Sequence, residues 1–95
     1  MTRLYLVWHE AILAQGREPS IVWDGDAHPL NDNLWLVRTD LTRSRLYHAV
    51  KHQLPEGSAL VVAPLEDRPE GWPKFKLMGP GTLAWLSGQE GENRI

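Results

Sequence analysis

Ninety-five residues with 10 basic and 12 acidic side chains, a net charge of -2 and a pI near 6.0 suit one small domain with a modest core. This balance excludes a protein whose whole surface is built to attract phosphate. A hydrophobic share of 42%, a charged share of 23% and the absence of cysteine exclude a disordered chain, a disulfide scaffold and a thiolate metal site.

Arg3–Trp8 alternates, with Leu4, Leu6 and Trp8 on one side and Tyr5 and Val7 on the other. A strand apolar on both faces belongs in the middle of a sheet. The run from Glu10 to Gln15 reads as a short helix closed by Gly16. Ser20–Trp23 reads as a second strand, followed by turn chemistry at Asp24-Gly25-Asp26 and a loop through Asn33. Leu34–Arg38 is the third strand. The clearest helix runs from Thr42 to Leu54: Thr42 is its N-cap, Leu41 and Leu46 form a hydrophobic staple, and Leu46, Ala49, Val50 and Leu54 make the apolar stripe. Pro55 ends it, and Ala59–Ala63 is a buried strand. Lys74–Met78 alternates as a short edge strand whose lysines discourage pairing, and Thr82–Leu86 is a short helix or capping segment. The five tryptophans serve mainly as packing anchors.

Strand, helix, strand, strand, helix, strand is the βαββαβ order of a ferredoxin-like α+β sandwich, here with a C-terminal strand and short-helix extension. One such domain is expected over residues 1–87, with a flexible tail over 88–95. No run approaches the roughly 20 apolar residues of a membrane span, and no signal-peptide pattern opens the chain. A cytoplasmic protein without membrane contact is the expectation.

Tyr5-Leu-Val-Trp-His-Glu10, His28-Pro-Leu-Asn-Asp-Asn-Leu-Trp-Leu-Val-Arg-Thr39 with Leu41-Thr42, and Ala59-Leu-Val-Val62 together resemble the small ferredoxin-like proteins of the CRISPR-adaptation-nuclease and VapD superfamily, especially its SinR-like group. The resemblance covers about two thirds of the chain. It implies a magnesium- or manganese-dependent nuclease acting on RNA or DNA. Glu10 stands where the nuclease members carry a metal-binding aspartate, so the fold transfers more readily than the activity.

Two groups of residues are candidates for chemistry. Asp24, Asp26 and His28 alternate along an extended segment and, with Glu10 or His9, would offer oxygen and nitrogen ligands to magnesium or manganese. The competing reading is a hairpin turn, in which the aspartates satisfy backbone donors. Arg43, Arg45, His48, Lys51 and His52 lie on a helix with no acidic residue, and Arg45, His48 and His52 share one face. That face would meet a phosphate backbone or an acidic protein; the competing reading is a solvated face with cations favoured at the helix C-terminus.

The sequence therefore favours a non-catalytic interaction module without a cofactor over the nuclease. The apolar second side of the sheet further suggests a homodimer joined through the open face or an adjoining edge strand.

Overall fold

The computed structural model describes residues 2–10 and 21–88. It is an α+β arrangement of β1 (Arg3–Glu10), β2 (Asp26–Pro29), β3 (Leu34–Thr39), α1 (Arg43–Lys51), β4 (Ala59–Leu65), a 3-10 turn over Pro69–Gly71 and α2 (Thr82–Ser87). The four strands form one sheet in the order β2-β3-β1-β4, antiparallel at every junction. β1 is central, as its apolar residues on both faces require, and it extends two residues beyond the expected end, through His9 and Glu10. The remainder of the expected first helix lies outside the described residues, as does the expected tail apart from Gly88, which caps α2 in a left-handed conformation.

The second strand departs from expectation. Ile21–Trp23 is not a strand: the backbone N–H and C=O of Val22 bond to the side chain of Gln53, at 2.7 and 2.9 Å, in place of a ladder partner. Gly25, at a φ of +128°, passes so close to the Arg38 carbonyl that a Cβ would collide with it. This approach delivers Asp26 into register opposite Arg38. His28-Pro29, expected in a loop, ends β2, and the hairpin turn is Leu30–Asn33, closed by Leu30 N–H to Leu34 C=O at 2.7 Å and by the Asn31 side chain accepting from Asn33 N–H at 2.8 Å.

The ladder also fixes which backbone groups face outward. His9 N–H donates to Asn33 C=O at 2.9 Å. The odd-numbered residues of β1 therefore bond to β3, the even-numbered ones bond to β4, and Leu60, Val62 and Pro64 of β4 turn their backbone away from the sheet. At the other edge, Ala27 and Pro29 of β2 face outward. Pro29 and Pro64 each sit where a missing N–H breaks no ladder bond.

Each sheet face carries its own core. On one, Tyr5, Val7 and Val37 pack against Leu46 and Val50 of α1, and the Tyr5 hydroxyl donates to Leu41 C=O at 2.9 Å. Thr42 caps α1 by accepting from Arg45 N–H at 3.3 Å, and the helix ends at Lys51, one turn before the expected limit. On the other face, Leu4, Leu30 and Leu36 are covered by Trp85 and Leu86, with Trp72, Phe75 and Met78 around them. Burial of each large apolar side chain favours folding by about 1.5–3 kcal/mol.

Lys74–Met78 is thus not an edge strand. Phe75 and Met78 turn onto the sheet from an irregular segment that crosses over it, while Leu77, which the alternation sets on the same side as Phe75, is exposed. The open face that suggested a dimer is covered here by the chain's own C-terminal region, so no second subunit is needed on that part of the sheet.

Candidate anion-binding surface

α1 positions the basic group. Leu46 and Val50 are buried against the sheet, and the helical period then sends Arg43, Arg45, His48 and Lys51 outward, with His52 at the C-cap. All five are exposed. The His48 and His52 rings lie 6.2 Å apart, Tyr47 meets the edge of His48 at 5.2 Å, and the Lys51 ammonium sits 5.8 Å from the centre of the Tyr47 ring. Gln53 ties the end of α1 to the segment before β2 by bonding Val22 and Ala49. The cationic face is thereby carried on a helix anchored by both packing and hydrogen bonds.

Its electrostatics are one-sided. α1 has no acidic side chain, and among the described residues the ion pairs Arg38–Asp67 and Arg68–Glu66 leave all five α1 groups outside them. His48 and Lys51 occupy the last turn, where the helix dipole favours positive charge. Tyr47, half-exposed between Lys51 and His48, is the member of this surface that sequence reading missed. Its position beside the basic residues, one step off the apolar stripe, was the available signal.

The proposed metal ligands are not brought together. Glu10 is exposed at the end of β1, level with Ala59. Asp26 is level with Arg38 and, through it, with Leu4; the rise from Leu4 to Glu10 is about 20 Å. Glu10 and Asp26 therefore occupy opposite ends of the sheet. Asp24 precedes β2 in an exposed bend, and His9 is buried on the α1 side of β1, opposite to Glu10. Among the described residues no three His, Asp or Glu side chains gather as a metal site.

Asp26 and His28 instead hold the C-terminal cover in place. Asp26 accepts the Trp85 indole N–H at 3.1 Å, and His28 stacks on the same ring with centroids 5.5 Å apart. From the neighbouring strand, Arg38 donates to the carbonyls of Trp85 and Leu86 at the end of α2 and lies 4.8 Å from the Trp85 ring centre. Arg38 also forms a two-point bond with Asp67, and Asp67 accepts the Trp72 indole N–H at 3.1 Å. Hydrogen bonding from Arg38 holds the Asp67 carboxyl below its ordinary range, assisted by Trp72 and opposed by burial. At Gly79-Pro80-Gly81-Thr82 the chain makes a turn in which the Thr82 hydroxyl donates to Gly79 C=O; Thr82 is buried.

Comparison with protein-family models, curated proteins and solved structures gave no match to this chain.

Proposed function

We propose that this chain is a small, non-catalytic interaction module that presents the basic face of α1 to an anionic macromolecule, either a nucleic-acid backbone or an acidic protein surface. The observation that carries this reading is the grouping of Arg43, Arg45, His48, Lys51 and His52 on an exposed helix without an acidic residue, in a chain whose net charge is -2. A cationic face on an acidic protein is a local feature, and local positive charge is what phosphate contact requires. The distance along the sheet between Glu10 and Asp26 weighs against these two carboxylates sharing a metal ion of the kind that assists phosphodiester cleavage.

The sheet order β2-β3-β1-β4, with α1 linking β3 to β4, supports a ferredoxin-like architecture. It equally supports reading the resemblance to the CRISPR-adaptation-nuclease and VapD superfamily as kinship in fold. No described helix is long and apolar enough to cross a membrane.

The reading is tested by mixing the protein with fluorescent single-stranded RNA, duplex DNA and an acidic peptide. Saturable binding to one of them, weakened by reversing Arg45 and Lys51 to Glu, is expected. Equal binding by wild type and the double variant would reject α1 as the contact surface.

A further inference from the structure

The two edges of the sheet are protected unequally. β2 is four residues long, begins with Asp26, and has Pro29 as one of its two outward-facing residues, so its outer backbone offers a partner almost nothing. β4 is seven residues long and reads Ala-Leu-Val-Val-Ala-Pro-Leu, without a charge to discourage pairing. Leu60 and Val62 both direct N–H and C=O outward, while Pro64 lacks the outward donor.

The same edge interrupts an apolar row. On the side of the sheet opposite α1, Leu34, Trp8 and Val61 stand level with one another across β3, β1 and β4. The row stops at β4, where Val61 is 51% exposed. The C-terminal segment covers the Leu4 and Leu36 part of this face, yet Val61 remains open.

We propose that β4 pairs antiparallel with β4 of a second copy of this chain, about a two-fold axis through Val61. In that register Leu60 of each copy lies opposite Val62 of the other, and the outward N–H and C=O groups of the two pairs form four hydrogen bonds. Pro64 falls outside these bonds, opposite Ser58. Moving the axis one residue on, to Val62, would set Leu60 opposite Pro64 and lose a donor, so the proline disfavours a shift in that direction. Val61 then faces its own symmetry mate as a close, non-hydrogen-bonded pair, and the two interrupted rows join into one running from Leu34 to Leu34 of the second copy. A second copy is the favoured occupant because a strand in this arrangement is complementary to itself, and two-fold pairing closes the assembly at two subunits. None of these observations involves the basic residues of α1.

Sedimentation at micromolar concentration tests it. The wild-type chain is expected at twice its 10.8 kDa mass, and Val61→Lys, which sets two ammonium groups against each other at the axis, is expected to sediment as a folded monomer with an unchanged circular dichroism spectrum. The chain has no cysteine, so Val61→Cys should form a disulfide-linked dimer under mild oxidation, whereas Leu83→Cys on the exposed side of α2 should not. A wild-type chain that remains at the monomer mass overturns the proposal, including the case in which another protein's strand occupies this edge. So does a Val61→Lys variant that still sediments as a dimer.

Discussion

Arg38 and Asp67 are joined by two parallel hydrogen bonds, Nε to Oδ2 and Nη2 to Oδ1, each 2.8 Å long. The pair clamps the C-terminal cover to the sheet, because the same guanidinium donates to the carbonyls of Trp85 and Leu86. Arg38→Ala is expected to destabilise the fold by about 2 kcal/mol, the scale of lost hydrogen bonds to a charged group. Denaturant unfolding with unchanged midpoint would show that the clamp contributes nothing.

The pair also predicts a pH dependence. Asp67 has a lowered carboxyl pKa in the folded state, so its contribution is complete above the ordinary aspartate value of about 4 and is lost as pH falls through the lowered folded value. The stability difference between wild type and Asp67→Asn should therefore be constant near neutrality and shrink under acid. A difference that grows as the pH falls would contradict the assignment.

Leu46→Ala should cost about 2–5 kcal/mol, as a fully buried large-to-small change, since Leu46 is only 1% exposed between α1 and the sheet. A loss below about 1 kcal/mol would place the site outside the large-to-small range and mean that the helix is poorly packed there.

Much of the fold was legible because periodicity records burial. The two-faced pattern of Arg3–Trp8 placed β1 centrally, and Leu41, Thr42 and Leu46 placed the start of α1. The second strand was misplaced because Ile21-Val22-Trp23 has the residues of a strand while Asp26-Ala-His-Pro29 has those of a loop. What decides between them is long-range: Gln53 satisfies Val22, Gly25 passes beneath the Arg38 carbonyl, and Pro29 faces outward where it needs no donor. The basic helix was readable as a surface for the same reason as its apolar stripe. The fate of Asp26 and His28 was not, since local spacing carries no trace of Trp85 arriving from 59 residues further on.

Magnesium or manganese should confer no cleavage of RNA or DNA that Glu10→Ala or Asp24→Ala abolishes, because about 20 Å of strand separates the row of Asp26 from Glu10. Denaturing electrophoresis of labelled substrates measures this directly. Metal-dependent products lost in either variant would restore a catalytic reading.

Contact between the basic face of α1 and an anionic partner can be measured by a fluorescence-anisotropy titration against single-stranded RNA at several salt concentrations. With Arg43, Arg45 and Lys51 each neutralising one phosphate, log K should fall with log salt at a slope of about -2, and Arg45→Glu with Lys51→Glu should abolish both the binding and its salt dependence. Binding of the double variant with the wild-type affinity and slope, or no binding by the wild type to RNA, duplex DNA or an acidic peptide at low salt, would contradict the account.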